Sequence, residues 1–351
     1  MKIAIFCPNW VGDLVMATPA LRAVRAQFPE AEISAIVRPY VGPVLAGLKL
    51  VDQILWHQPH GPRSQDRGWR LAQRLRREEF DLAVVLPNSF RSGLWSWLCG
   101  APRRVGIDRN GRGWLLTDPL APPPRHEPRP IIDEYLRIAA YLGCQQLSRK
   151  MELAVTAADE HQLQEFWNRQ PVKGRWVAAG VVCLNPGGAF GAAKHWPVKS
   201  FAELARLFVG EMGKRVLVLC GPAERDTARQ IVAAARHPAV FSLADEQLSL
   251  GLTKAAVRHS ELLVTTDSGP RHFAAPFQVP VVTLFGPTHI NWSETFYERS
   301  VHLQLDVECG PCQQRTCPLA HHQCMQRLRP AFVFRRSFDL MQRFSPEKSA
   351  A

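Results

Sequence analysis

Long apolar runs are missing from this chain. None reaches the ~18 residues that a membrane-crossing helix needs, and the longest candidate is broken near Gly180 and again at Asn185-Pro186. The stretch Met1 to Cys7 is apolar, but Pro8, Asn9 and Asp13 interrupt it, so it does not read as a secretory signal. A cytoplasmic location is expected. Acidic residues are scarce beside basic ones. The 31 Asp and Glu against 43 Lys and Arg leave a net charge of +12, which suggests an anionic partner: a nucleotide, an acidic membrane surface or nucleic acid. Nucleic acid fits worst, because no RNP-type motif or other recognisable module is present and the charge is spread over both halves. Cysteine is sparse outside one segment: five of the nine stand singly and four cluster, as expected of reduced thiols. A hydrophobic content of 46% with 21% charged residues excludes disorder.

At 351 residues the chain is long enough for two domains. Strand-like runs at Lys2 to Cys7, Glu32 to Val37, Gln53 to Trp56 and Leu82 to Leu86 alternate with helix-like intervals, which predicts a parallel sheet covered on both faces. The proline-rich stretch from Leu120 to Pro130 reads as an extended connector. Ile131 to Leu142 reads as a helix and Ala157 to Lys173 as a polar passage. Alternation then resumes, with strands at Val177 to Leu184, Arg215 to Cys220, Val240 to Leu243, Leu262 to Thr265 and Val281 to Phe285. Helices are expected at Phe201 to Met212, Ala223 to Arg236 and Leu248 to Arg258. The expected class is α/β, with two Rossmann-like doubly wound domains, residues 1–170 and 171–351, facing one another across a cleft.

Chemistry is expected where strands end. Thr265-Thr266-Asp267-Ser268-Gly269-Pro270-Arg271-His272 reads as a strand end, a tight turn and the first turn of a helix. Free N–H groups and the helix dipole there favour a phosphate, and Gly269 admits a ligand close to the backbone. His272 falls one helical turn further on and can face the same anion. A second such end is Gly286-Pro287-Thr288; side by side the two would form one crevice. The loop Asn185-Pro186-Gly187-Gly188-Ala189-Phe190-Gly191-Ala192-Ala193-Lys194 follows another strand. Its glycines permit approach to a pyrophosphate and Lys194 supplies compensating charge, though the spacing is neither Walker A nor the dinucleotide fingerprint. The simpler alternative is a surface loop with a solvated lysine. Glu224 either accepts from a ribose hydroxyl or caps its helix. Asp13 follows the first strand, either as a cleft carboxylate or as a helix cap.

Two features stand outside that scheme. Cys309, Cys312, Cys317 and Cys324, with His321 and His322, have the residue types of a zinc site but not the intervals of a common zinc finger. A structural loop of reduced thiols or a reversible disulfide is favoured over zinc. Gly68 to Arg77 has apolar residues at helical spacing and arginines opposite. It is either a surface helix with a solvated basic face or a contact for anionic headgroups, helped by Arg103, Arg104, Arg109 and Arg112.

In combination, the phrases Pro8-Asn9-Trp10-Val11-Gly12-Asp13, Leu86-Pro87-Asn88-Ser89-Phe90-Arg91-Ser92, Gly188 to Pro197 and Asp267-Ser268-Gly269 resemble the ADP-heptose:lipopolysaccharide heptosyltransferases, glycosyltransferase family 9, and most closely the heptosyltransferase II branch. The resemblance implies GT-B architecture and inverting transfer of a heptose from ADP-heptose to the heptosyl-Kdo-lipid A inner core. It implies Asp13 as general base, Lys194 on the donor diphosphate or sugar, and Asp267, Ser268, Gly269 and His272 around the ADP-heptose. Glu224 and Leu248 would lie beside the ribose and adenine. No metal or other cofactor is then required for catalysis, and a lipid-linked acceptor implies peripheral contact with the inner face of the inner membrane. The Cys309 to Cys324 cluster departs from the plainer end of enteric members and marks a different branch. Two alternatives remain at this point: a family member moving another nucleotide-activated sugar to a different envelope glycan, and a non-catalytic nucleotide-binding module.

Overall fold

The computed structural model describes residues 1–124, 127–172, 174–188 and 190–344. Arg125 and His126 of the connector, Lys173 of the polar passage, Ala189 of the glycine-rich loop and residues 345–351 lie outside them. The chain separates into two compact units, Met1–Ala154 with Asn291–Thr295, and Val155–Ile290 with the described residues from Phe296 on.

The first unit is built on β1 (Lys2–Phe6), β2 (Glu32–Val37), β3 (Gln53–Trp56), β4 (Leu82–Val85), β5 (Arg103–Ile107) and β6 (Asp118–Leu120). The order is β3-β2-β1-β4-β5-β6 and every pairing is parallel. Central strands such as Leu82-Ala83-Val84-Val85 are buried along their whole length, as a sheet covered on both faces requires. The covering helices are α1 (Val11–Gln27), α2 (Gly68–Arg77), α3 (Phe90–Leu98) and α4 (Ile131–Tyr141), with α1 packed on α4. Pro19 sits inside α1 and removes the N–H that would bond the carbonyl of Val15. The Thr18 hydroxyl donates to that carbonyl at 2.7 Å instead, so the helix continues.

The second unit repeats the plan. Its strands are β7 (Val181–Asn185), β8 (Arg215–Val218), β9 (Val240–Ser242), β10 (Leu262–Thr266), β11 (Val281–Phe285) and β12 (Ser300–Gln304), again all parallel. The order β12-β11-β10-β7-β8-β9 is the same 3-2-1-4-5-6 winding counted from the first strand of the unit. Helices α5 (Ala157–Arg169), α6 (Val198–Met212), α7 (Arg225–Ala235), α8 (Leu250–Arg258), α9 (Gln323–Gln326) and α10 (Pro330–Arg343) complete it. The expected α/β class with two Rossmann-like doubly wound halves is what the structure contains.

The departures have local causes. The passage from Ala157 is a helix, opened by a capping box in which Thr156 and Asp159 satisfy each other's backbone N–H. It buries only Leu163 and Phe166, so its apolar stripe is faint. Strands β6 and β12 are edges; β6 is only Asp-Pro-Leu, and neither shows a continuous apolar run. Strand β5 begins with two arginines. The helix expected from Leu248 begins at Leu250 with Ser249 as its cap, its hydroxyl accepting from the Leu252 N–H at 2.9 Å. Leu248 is left in the preceding loop.

Candidate active site

In a 3-2-1-4-5-6 sheet the strand order reverses between the first and fourth strands, and ligands bind outside the carboxyl ends there. In the second unit those strands are β7 and β10. Asn185 ends β7, and its amide donates to Thr265 Oγ1 at 3.0 Å and Ser268 Oγ at 2.8 Å. The Thr266 hydroxyl donates to the Gly187 carbonyl at 2.6 Å. These bonds tie the glycine-rich loop to the Asp267 turn.

Lys194 is 8% exposed, which removes the alternative of a solvated lysine. Its Nζ donates to Asp267 Oδ2 at 2.5 Å and to the Asp267 carbonyl at 3.0 Å, and lies 4.6 Å from the centre of the Phe190 ring. Thr288, at the end of β11, donates to the same Oδ2 at 2.7 Å, so the two neighbouring strand ends do meet. Arg271 NH1 stands 3.4 Å from Asp267 Oδ1. Burial alone would push the Asp267 carboxyl up. The Lys194 and Arg271 charges, with hydrogen bonds from Lys194 and Thr288, hold it well below the usual carboxylate range. One buried carboxylate thus sits between two cations.

The turn itself differs from the expectation. Gly269–Phe273 is a single 3-10 stretch rather than the start of an α-helix, so a long helix dipole is not available and the positive charge comes from Lys194 and Arg271. His272 is buried within that stretch, and Ser268 and Gly269 are half-buried at its head. Glu224 turns back to accept from the Gly221 N–H at 3.1 Å, the capping role, while its side chain also packs where a Cβ on Gly187 would be, at 3.1 Å. Leu248 is half-buried in the loop after β9. The strand order β10-β7-β8-β9 therefore places Asp267, Gly187, Glu224 and Leu248 in one row of strand ends. Sequence reasoning passed over Thr288 and Arg271 as partners of Asp267; the signal was the paired strand ends themselves.

In the first unit the corresponding strands are β1 and β4. Asp13 lies in the first turn of α1, half-buried. The loop after β4 is fixed by Arg112, which is fully buried. Its guanidinium donates to the carbonyls of Pro87 and Ile107, the latter at 2.9 Å, and to Ser92 Oγ at 2.8 Å. Burial pulls it down to about 10 against the opposing effect of Asp108. Arg112 is thus a brace and is withdrawn from any headgroup, a correction to its expected role. Arg109 pairs with Glu134 at 3.5 Å and Arg103 with Asp118 at 3.2 Å. Helix α2 buries Leu71, Ala72 and Leu75 and leaves Arg67, Arg70, Arg76 and Arg77 exposed, with Trp69 65% exposed.

All nine cysteines are free thiols. Cys309, Cys312, Cys317 and Cys324 line one cavity with His321 and His322, and Cys309 Sγ is 4.0 Å from His321 Nε2. Among the described residues no group of three or more His, Cys, Asp or Glu side chains is arranged to hold a metal ion. The segment braces the glycine-rich loop: the Arg315 carbonyl accepts from the Ala193 N–H at 3.0 Å, and a Cβ on Gly191 would fall 2.4 Å from that oxygen. Only glycine fits there. Among the described residues no helix is long and apolar enough to cross a membrane.

The family described as "Glycosyltransferase family 9 (heptosyltransferase)" matches residues 68–323. Lipopolysaccharide heptosyltransferase 2 of Escherichia coli is 27% identical over 342 residues, 95% of this chain and 96% of that protein. Lipooligosaccharide heptosyltransferase 2 of Campylobacter jejuni is 27% identical over 344 residues, 95% of this chain and 97% of its own. The solved structure of E. coli ADP-heptose lps heptosyltransferase II superposes with a TM-score of 0.80 at 24% identity, covering 98% of this chain and 99% of that one. With a family match over most of its length and a glycosyltransferase's pair of doubly wound units, the chain belongs to glycosyltransferase family 9, the heptosyltransferases.

Proposed function

We propose that the protein is an inverting heptosyltransferase that moves a heptose from ADP-heptose to the heptosyl-Kdo-lipid A inner core. The acceptor is bound by the first unit, built on Met1–Ala154, and the donor by the second, which begins at Val155. The observation that carries this reading is the buried Lys194–Asp267 pair at the β7/β10 reversal of a family 9 chain.

Adjacent strands are spaced ~4.8 Å apart, so the row from β10 to β9 spans about 14 Å. A nucleoside diphosphate laid along that row meets Lys194, Asp267, Ser268, Gly269 and His272 with its diphosphate and sugar, Glu224 with its ribose and Leu248 with its adenine. Asp13 accepts the proton of the acceptor hydroxyl as that oxygen attacks the anomeric carbon. The bond to the diphosphate oxygen breaks, and the charge gathering on ADP is met by Lys194 and the backbone N–H groups of Ser268 and Gly269. These residues supply the compensating charge without a metal cofactor.

Incubation with ADP-heptose and lipid acceptors bearing no heptose or one heptose tests the assignment. Only the heptose-bearing acceptor is expected to be extended, with inversion at the anomeric carbon and undiminished turnover in a chelator. Extension of the heptose-free acceptor, or preference for a different nucleotide sugar, overturns it.

A cytoplasmic enzyme with a lipid-linked acceptor works at a membrane surface, and α2 is the contact we assign. Each arginine near an anionic surface contributes about 1 kcal/mol. Changing Arg70, Arg76 and Arg77 to Gln is therefore expected to weaken partition onto phosphatidylglycerol vesicles by on the order of 10²-fold. Unchanged sedimentation with vesicles would remove the role of α2.

A further inference from the structure

The cysteines of this chain fall into two chemical groups. Cys7, Cys99, Cys144, Cys183 and Cys220 are buried, whereas Cys309, Cys312, Cys317 and Cys324 are half-buried, and all are free thiols. Burial pushes each of the first five up, which keeps them protonated and unreactive. The second group is different. Backbone N–H groups, that of His322 foremost and then those of Leu319, His321 and Ala320, outweigh burial and hold the Cys317 thiol below its ordinary range. Cys324 is pushed up by burial and by the charges of Cys309, Cys312 and Cys317, and the four line one cavity. His321 joins two of them: its backbone N–H serves the Cys317 sulfur, and its Nε2 lies 4.0 Å from Cys309 Sγ.

The segment that carries these thiols holds both sides of the Asp267 site. Arg315 accepts through its carbonyl from the Ala193 N–H at 3.0 Å, and Gln313 donates its N–H to the Pro287 carbonyl at 2.8 Å. A Cβ on Gly286 would fall 3.3 Å from Cys324 Sγ. Ala193 adjoins Lys194 and Pro287 adjoins Thr288, the two residues that donate to Asp267 Oδ2. Any shift of the cysteine segment therefore reaches both of those hydrogen bonds through a single peptide link on each side.

We propose that Cys317 is a peroxide-sensitive modification site that closes a disulfide with Cys309 and thereby loosens the diphosphate site. The Cys317 thiolate attacks one peroxide oxygen: an S–O bond forms, the O–O bond breaks and hydroxide leaves, so sulfur is oxidised to a sulfenic acid and peroxide is reduced. The Cys309 thiolate then attacks that sulfur. An S–S bond forms, the S–O bond breaks and a second hydroxide leaves, and the two hydroxides take up the two thiol protons as water. A small dithiol reverses the change by exchange, being oxidised as the protein disulfide is reduced. The bond fixes its two Cα atoms about 4.4–6.8 Å apart. That constraint falls on the loop between Cys309 and Cys317, which contains both Gln313 and Arg315. The effect on the diphosphate rests on the reading of the Lys194–Asp267 pair as part of the donor site; the thiol chemistry does not.

The test treats wild type, Cys317→Ser and Cys309→Ser with hydrogen peroxide and then with dithiothreitol. Linked peptides are mapped by mass spectrometry, and ADP affinity and amide exchange at Ala193 are followed alongside. Oxidised wild type should link Cys317 to Cys309 and bind ADP ~10-fold or more weakly, as loss of a charge-assisted hydrogen bond does. Its Ala193 amide should exchange faster by on the order of 10-fold, and dithiothreitol should reverse all three changes. Cys317→Ser should show none of them, and Cys309→Ser should stop at a sulfenic acid on Cys317 that dimedone traps. Untreated, both variants should bind ADP within about twofold of wild type, as changes away from the bound groups do. Wild type alone decides the link and the exchange, whatever a variant does to folding. No link between Cys317 and Cys309, a link that leaves Ala193 exchange unchanged, or a metal ion held on these thiols that blocks the reaction overturns the modification site. A reduced wild type that does not bind ADP refutes the donor reading instead, and the linked peptide and Ala193 exchange still decide the site.

Discussion

Asp13→Asn is expected to lower kcat for heptose transfer by ~10²-fold or more, the usual contribution of a positioned general base, with ADP-heptose affinity unchanged. The competing role for this carboxylate is electrostatic. An acid in the first turn of a helix stabilises it by about 0.3–1 kcal/mol through the dipole, and Asp13 is the acid in the first turn of α1. The two roles separate cleanly. A dipole partner lost to Asn shifts the unfolding midpoint and leaves turnover alone, whereas a lost base adds about 2.7 kcal/mol to the barrier with little change in stability. Neighbouring groups are poorly suited to replace it. Burial pushes the Tyr135 phenol well above its ordinary range, with the Asp13 and Glu134 charges adding to the effect. Burial likewise keeps the Cys7 thiol protonated. His57, held down to about 4, is too weak a base to take a hydroxyl proton efficiently. Near-normal turnover by Asp13→Asn would therefore remove Asp13 from the chemistry and leave it a helix partner.

Much of this was legible in the residue order because the chemistry sits where strands end, and central strands announce themselves. Continuous apolar runs such as Leu262 to Thr265 and Val281 to Phe285 mark buried parallel strands, and the polar residues after them fall at the sheet's carboxyl edge by construction. What could not be read is which ends are neighbours, since winding order is set by packing between distant segments. Hence Asp267 was singled out, while its bonds from Thr288, 21 residues on, and from Lys194, 73 residues back, came only with the structure. The same limit hid Arg112, whose partners on the β4 loop lie 20 to 25 residues away; in sequence it is one more arginine of a basic stretch. Local signals were also missed, above all the Thr156 and Asp159 capping box that opens α5.

Lys194→Ala should be the most disruptive single change in the second unit, and a second substitution tells why. Lys194 and Asp267 side chains are 10% and 11% exposed, and breaking a buried pair by removing one partner costs about 3–5 kcal/mol because the other charge is left uncompensated. Arg271 at 3.4 Å and Thr288 remain on Asp267, which places the expected loss near ~3 kcal/mol. The pair also sets the acid limb of stability. Asp267 is depressed in the folded protein, so its contribution is complete above the unfolded carboxylate value of about 3.9 and fades as pH falls below it toward the lower folded value. Changing both residues, Lys194→Met with Asp267→Leu, removes both charges together and should recover most of the stability. It should also flatten that limb. Donor binding should not recover. If Lys194 meets the diphosphate, the double variant still lacks a charge-assisted bond of ~1.5–3 kcal/mol, and ADP affinity should stay 10-fold or more below wild type. A double variant that is stable and binds ADP normally would make the Lys194–Asp267 pair a structural clamp and move the diphosphate away from β7.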